Sequence, residues 1–386
     1  MIIPFYSVMD ITREIDLIAI LRNKSCFLFG PRQTGKSYLI RKTLGDYRCY
    51  DLLKTDVFLK LSRAPHRIRE EITDSEKIVI IDEIQKLPIL LDEVHSLIEE
   101  KGIHFLLTGS SARKLKRSGT NLLGGRARTK RLLPFIHREI KERFDLVQTL
   151  DTGLIPSIYN SNTPHEDLES YVGTYLKEEI AAEALVRNVP AFSRFLTVAG
   201  LSNGQILNYT NIASDAEVAK STAQEYFQIL RDTLIGEDLP AWKKSKKRKP
   251  FSTSKFFMFD IGVARFLQGR HGLATHSPEF GEALEAYLHH ELSAYRYYTG
   301  GGELCYWRST SGFEVDFILN NISAIEIKGK SNITGKDCRG LRALQEEKLL
   351  KNYVLVSLET TPRQVDGISI VPWREFLSRL WEGAYD

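Results

Sequence analysis

The run Gly30-Pro-Arg-Gln-Thr-Gly-Lys-Ser37 constrains this chain more than any other stretch of it. It has the pattern G-x-x-x-x-G-K-S, entered from the apolar run Ser25-Cys-Phe-Leu-Phe29 and left through Tyr38-Leu-Ile-Arg-Lys42. The first flank reads as a buried strand and the second as a helix, which is the context this loop requires. Its glycines let the backbone curl so that N–H groups point inward, and the positive end of the following helix strengthens the same field. Such a loop cradles phosphate. Gly30, Pro31, Arg32, Gln33, Thr34, Gly35, Lys36 and Ser37 are therefore expected to surround ATP. Lys36 would reach the β- and γ-phosphates, and Ser37 would hold Mg2+ through its hydroxyl.

Three further elements fit the same chemistry. Lys77-Ile-Val-Ile-Ile-Asp-Glu83 is an aliphatic strand, buried on both faces, that ends in two acids. Asp82 would accept hydrogen bonds from the water shell of Mg2+, and Glu83, just beyond the strand end, would polarise the attacking water. His104-Phe-Leu-Leu-Thr-Gly-Ser-Ser111 is a second apolar strand ending in hydroxyls. Thr108 and Ser110 there are either sensors of the bound nucleotide or ordinary strand-end residues. Leu122-Leu-Gly-Gly-Arg-Ala-Arg128 places arginines on a glycine-rich turn. Arg126 either stabilises transition-state charge, in its own or a neighbouring subunit, or sits in a basic surface loop.

Together GPRQTGKS, IVIIDEIQ, LLTGSSAR, GGRA and LLPF resemble a large group of bacterial and archaeal AAA-type P-loop ATPases. In that group the ATPase is followed by a winged helix and a restriction-endonuclease-like PD-(D/E)xK domain of unknown function. The resemblance covers nearly the whole chain. It implies an α/β fold: a P-loop core with an additional catalytic strand and parallel order 5-1-4-3-2, then a small helical lid. On this reading residues 1–145 form the ATPase core, 146–200 the lid, 201–270 the winged helix and 271–386 the endonuclease-like domain.

Length and composition agree with several soluble domains. The 386 residues exceed one ordinary core, and 42% hydrophobic with 26% charged residues is a globular balance. No apolar run approaches the ~20 residues that cross a bilayer, so no membrane partner is expected. The N-terminal stretch lacks the basic start and small-residue cleavage site of a secretion signal. Four scattered cysteines, Cys26, Cys49, Cys305 and Cys338, argue against a disulfide framework or zinc site and for a reducing cytoplasm.

In the middle, HEDLESYVGTYLKEEIAAEAL (165–185) has the spacing of lid helices. Short helices are expected over 205–209, 210–214 and 221–233, the last starting at a capping box formed by Ser221 with Gln224 or Thr222 with Glu225. On that third helix Ala223, Phe227, Leu230 and Leu234 line one face, and Gln224, Gln228 and Arg231 form a polar stripe, as in a DNA recognition helix. The net charge of +4 says little, but Lys243, Lys244, Lys246, Lys247, Arg248 and Lys249 crowd six cations into seven residues. Where a wing is expected, that run is either a solvated loop or a set of DNA phosphate contacts.

Near the C-terminus a helix over 280–292 turns Leu284, Tyr287, Leu288 and Leu292 inward, with Glu285 beside the apolar stripe. Strands are expected over 304–308, 313–319 and 323–328, then a helix over 336–350 and a strand over 353–357. On alternating strands Glu314 and Asp316 share one face opposite Phe313, Val315 and Phe317, and Glu326 and Lys328 share a face opposite Ile325 and Ile327. This order resembles the restriction-endonuclease-like core, whose signature is an Asp followed by Glu-x-Lys. The resemblance assigns Asp316, Glu326 and Lys328, with the helix acid Glu285, to a candidate metal-dependent cutting site. Val315 stands where such nucleases often carry proline. Three functions follow: a DNA-associated ATPase, acting alone or as a ring of identical subunits; a nucleotide-operated switch read by protein partners; and an ATP-gated nuclease.

Overall fold

Among the described residues, fourteen strands fall into three sheets. The computed structural model describes residues 11–386 apart from 111–112, 114, 116–122, 181–185, 187 and 276. The secretion-signal expectation for the first ten residues, and the last five residues of the expected lid segment, therefore lie outside it.

The first sheet comprises β1 (Ser25–Phe29), β2 (Arg48–Asp51), β3 (Ile78–Asp82), β4 (His104–Gly109) and β5 (Ala127–Arg131), ordered β2-β3-β4-β1-β5. Every neighbouring pair is parallel, and the order is the expected 5-1-4-3-2. Alternation explains why it is buried on both sides. Phe27, Phe29, Val79, Ile81, Phe105 and Leu107 pack with Leu61, Ile68, Leu90 and Val94 from one layer of helices. Cys26, Leu28, Ile80 and Leu106 pack with Leu17, Leu21, Leu39 and Leu44 from the opposite layer. Each such aliphatic or aromatic side chain contributes roughly 1.5–3 kcal/mol when fully buried. The parallel strands end together, so their C-terminal ends form one rim, and the P-loop leaves β1 at that rim.

In the middle, helix Val189–Leu201 leads to β6 (Gln205–Ile206), helix Tyr209–Asp215, helix Lys220–Asp232, β7 (Gly236–Leu239) and β8 (Lys255–Met258). The three strands form an antiparallel sheet in the order β6-β8-β7. Several expectations are corrected here. The short helix expected over 205–209 is the strand β6, because Gln205 and Ile206 pair with Phe256 and Lys255. The helix expected from Ser221 starts at Lys220 behind Ala219, and no side chain caps it, so the capping box does not form. Leu234 leaves the expected stripe: at φ 62° it turns away and packs on the core of the first domain. Helix Val189–Leu201 falls within the segment expected to be lid, yet Phe192 and Phe195 meet Tyr226 and Phe227 edge-on, which ties it to the helices that follow.

The C-terminal sheet contains β9 (Leu304–Arg308), β10 (Glu314–Leu319), β11 (Ser323–Lys328), β12 (Asn352–Ser357), β13 (Arg363–Val365) and β14 (Ile368–Pro372), ordered β13-β14-β12-β11-β10-β9. The long helix Pro278–Thr299 covers the face that carries Phe317, Leu319, Ile325 and Ile327. The helix Arg339–Gln345, shorter than expected, covers the face with Val315, Ile318 and Ala324. Val315 and Phe317 were expected on one face. A register shift between Val315 and Ile318 separates them, because the extra residue reverses the alternation. One apolar cluster runs from Phe135 through the middle helices to Tyr385, so the middle and C-terminal parts share a core.

Candidate nucleotide site and a second acid cluster

Backbone geometry shapes the loop at the end of β1. Gly35 sits at φ 93°, the left-handed region that suits glycine, and caps helix Lys36–Leu44. A Cβ on Gly30 would lie 2.4 Å from the Leu132 carbonyl oxygen, so only glycine fits against the neighbouring strand end. Inside the loop Lys36 is buried, and its Nζ donates to the carbonyl oxygens of Gly30 (2.6 Å) and Pro31 (3.0 Å). Burial lowers its pKa to about 8, even though Glu83 and Asp82 pull it upward.

The expected acids and hydroxyls meet beside it. Ser37 Oγ donates to Asp82 Oδ2 at 3.2 Å, and Thr108 Oγ1 donates to the other oxygen, Asp82 Oδ1. The Thr108 hydroxyl also accepts from the Glu83 backbone N–H at 3.2 Å. Thr108 thus fixes both acids at once, which requires β3 and β4 to be neighbours. Glu83 adopts φ 62°, a costly conformation for a side-chain-bearing residue, which turns it out of the strand line at the loop. Burial raises its pKa, with Lys36 opposing.

Two contributors escaped sequence reasoning. Gln85 donates to Glu83 and, at 3.3 Å, to Ser110 Oγ, joining the acid to the second hydroxyl position. The only hint was its place two residues after Glu83. Arg13 is buried beneath the loop, where it donates to Thr34 O (2.7 Å) and Leu133 O (2.6 Å) and pairs with Glu139 (2.9 Å). No local pattern pointed to it.

Helices from the expected lid segment close over the loop. Tyr171, in the wide-turned helix Tyr171–Glu179, donates to Arg32 O at 3.3 Å, and Arg32 N–H donates to Tyr175 Oη at 3.4 Å. Ser157 Oγ donates to the Gln33 side-chain oxygen at 2.6 Å.

Arg126 lies elsewhere. Ser25 pairs with Ala127 and Phe29 with Arg131, so Arg126 stands at the opposite end of β1 from the loop, roughly 15 Å of strand away. It pairs with Glu99 on the surface, and within its own subunit it cannot serve the phosphates.

The candidate DNA contacts divide into two groups. Gln224 and Gln228 are exposed on their helix, and so are Lys243, Lys244, Lys246, Lys247 and Lys249. Arg231 instead pairs with Asp238 at 2.9 Å and donates to Tyr209 Oη at 3.0 Å. Arg248 donates to Ala343 O (2.8 Å), pairs with Glu346 (2.7 Å) and lies over the Phe313 ring. Both expectations are corrected for the same reason: fold-internal partners already take the guanidinium donors. The basic run is also not a free wing. Its backbone N–H groups at Lys246, Lys247 and Arg248 converge on the Glu347 carboxylate, and Trp242 N–H donates to Tyr306 O at 2.6 Å.

The C-terminal acids do gather. Lys328 pairs with Glu326, and Asp316 Oδ2 accepts from Ile327 N–H at 2.8 Å. Burial and the neighbouring Asp316 raise the pKa of both Glu285 and Glu326. A second cation, missed in the sequence, enters from β8: Lys255 Nζ lies 2.7 Å from Glu314 Oε1 and 3.1 Å from Glu285 Oε1. Burial alone would lower the Lys255 pKa, but Glu285, Asp316 and Glu314 hold it well above the usual value. Among the described residues no three acid, histidine or cysteine side chains converge closely enough to hold a metal ion. As arranged, these acids fit an ammonium, not a divalent ion.

Residues 22–141, which carry the parallel sheet and this loop, match the family model described as AAA domain. Residues 143–274 match a domain of unknown function, DUF8612, and residues 280–376 match another, DUF4143. Uncharacterized proteins of Mycobacterium tuberculosis and Mycobacterium bovis are each 24% identical over 310 residues, covering 78% of this chain and 68% of theirs. Among solved structures, the chain is similar to a Walker-type ATPase of Pyrococcus abyssi, at 16% identity and TM-score 0.45 over 65% of this chain and 93% of that one. It is also similar to the Aeropyrum pernix Orc1 protein in complex with DNA, at 11% identity and TM-score 0.25 over 64% and 86%. No described helix is long and apolar enough to cross a membrane.

Proposed function

We propose that this chain is an ATP-hydrolysing AAA-type ATPase, associated with DNA, in which nucleotide state acts on a winged helix and an endonuclease-like domain. The observation that carries the ATPase reading is the meeting of Lys36, Ser37, Asp82, Glu83 and Thr108 at the rim of a parallel sheet. The oxygen donors Ser37 and Asp82 face each other across 3.2 Å, a donor set suited to Mg2+. When bound, that ion neutralises phosphate charge. Lys36 would exchange its two loop carbonyls for phosphate oxygens. Glu83 would orient and deprotonate the attacking water, with Thr108 and Gln85 fixing its backbone and carboxylate.

The order helix, strand, helix, helix, strand, strand over 189–258 supports a winged helix. The exposed lysines of 243–249 support contact with nucleic-acid phosphates. The order of helix Pro278–Thr299, β9, β10, β11, helix Arg339–Gln345 and β12 supports the endonuclease-like core.

Steady-state ATP turnover, measured with and without duplex, single-stranded and branched DNA, tests this reading. Wild-type protein should hydrolyse ATP, Lys36→Ala should lose nucleotide affinity, and DNA should change the rate. Turnover that DNA leaves unchanged would remove the DNA role and favour a switch read by protein partners. Normal hydrolysis by Glu83→Gln would overturn the assigned base.

A further inference from the structure

We propose that the cavity between the short helix His137–Ile140 and the last helix, Trp373–Trp381, is a binding site for a small phosphomonoester, separate from the nucleotide site. The inference does not rest on the ATPase or DNA readings, because none of their residues line the cavity.

Its two walls come from distant parts of the chain. His137 and Arg138 lie on the first helix and Lys141 follows it directly, whereas Arg374, Ser378 and Trp381 fall at helical spacing along one face of the second. The space between them measures about 140 Å3. A cavity of about 150 Å3 accepts a ligand the size of benzene, so this one suits a group of roughly six heavy atoms. A folded peptide is too large, and the head of a phosphomonoester fits.

The lining is cationic, and its charges are braced. The Arg374 guanidinium lies over the Trp373 ring at 4.4 Å, and that of Arg138 over the Trp381 ring at 5.3 Å. A ring beneath its face steadies a guanidinium while the N–H edge stays available. Arg138 spends part of that edge on Glu14, at 3.2 Å. Arg374 and Lys141 are exposed and pair with no acid among the described residues. The acid on the rim, Glu382, already accepts from Ser378 Oγ at 3.3 Å.

The lining also holds unsatisfied groups. His137 Nε2 and Trp381 Nε1 are buried and have no hydrogen-bond partner among the described residues. Such groups are costly to leave unpaired. Burial, then Arg374 and Lys141, lowers the His137 pKa to about 4, so both cations act on a neutral imidazole. In its Nε2–H tautomer that ring donates, as the indole N–H does. A carboxylate brings one charge and two oxygens, whereas a phosphomonoester brings a charge of roughly −1.5 to −2 and three acceptor oxygens. The second matches cations and N–H donors arriving from two walls.

Isothermal titration calorimetry of the full chain with glycerol 3-phosphate tests the site, with acetate as the carboxylate control. Lys36→Ala, whose phosphate loop is disabled, should bind one equivalent of glycerol 3-phosphate as wild type does, and acetate should bind far more weakly. Adding Arg374→Gln/Lys141→Gln to Lys36→Ala should raise Kd at least about tenfold. Ser378→Asp in the same background keeps all three cations, adds a like charge, and should weaken binding as well. Chemical denaturation of each variant confirms that the protein titrated is folded. Binding that survives both changes, binding lost with Lys36→Ala alone, or acetate bound as tightly overturns the proposal. So does the absence of binding in every protein, which would leave the cavity to water.

Discussion

Raising the pH should weaken ATP binding, and the surroundings of Lys36 set the amount. In the nucleotide-free protein burial lowers the Lys36 pKa from 10.5 to about 8. Bound phosphates place negative charge beside the ammonium, so its pKa rises on binding. Binding therefore takes up a proton wherever free Lys36 has lost one, which is above pH 8. Affinity should fall about tenfold per pH unit beyond that point, so that at about pH 9.5 it is roughly thirtyfold below its neutral value. Phosphate titration, with a second pKa near about 6, lies outside this window. Stability runs the other way. Between pH 8 and 10.5 the unfolded chain holds a proton that folded Lys36 has released, so the free protein gains about 3 kcal/mol as pH rises through that range. Anisotropy of a fluorescent ATP analogue, measured from neutral pH upward with Lys36→Met as control, reads the first effect. Affinity that is flat across the window in wild type, or the same slope in Lys36→Met, would mean that Lys36 does not take up the proton.

Other consequences can be tested separately. Glu83→Gln should bind ATP normally and lose roughly 10²–10⁴-fold in turnover, read as kcat with Kd measured alongside. Thr108→Val removes the hydrogen bonds that fix Asp82 and Glu83, and should lower both kcat and stability, the latter by about 1–3 kcal/mol in chemical denaturation. Replacing Lys246, Lys247 and Lys249 with Ala should reduce the salt dependence of DNA binding by roughly 0.9 for each phosphate no longer neutralised, whereas an unchanged slope would place DNA elsewhere. Asp260 caps helix Ile261–Leu267 and accepts from Leu154 N–H at 2.7 Å, so Asp260→Ala should cost about 2–4 kcal/mol of stability with little effect on ATP affinity in the folded fraction.

Legible from local patterns alone were the phosphate-loop motif, the acid pair at the end of β3, the hydroxyl near the end of β4 and the alternation of apolar residues on both faces of the first sheet. These are local patterns: spacing along one strand or one loop fixes which side chains share a face, whatever the rest of the chain does. The gathering of Asp316, Glu326 and Lys328 was legible for the same reason, although the register shift between Val315 and Ile318 was not.

The partners of the charges, by contrast, come from long-range folding. Arg13 holds the phosphate loop through Thr34, Leu133 and Glu139, across as many as 126 residues. Arg231 and Arg248, read as DNA contacts, are taken up by Asp238, Glu346 and Ala343. The motif leaves Arg126 open between a transition-state arginine and a basic surface loop, and the direction of β5 puts it at the end of the sheet away from the phosphate loop, paired with Glu99 on the surface. Lys255 looked like the first residue of an ordinary strand, and its meaning comes from a helix and a hairpin that follow it in the chain. A charged side chain has no periodicity to reveal its partner. Its role is fixed by which opposite charge the fold brings within a few ångströms once water is excluded.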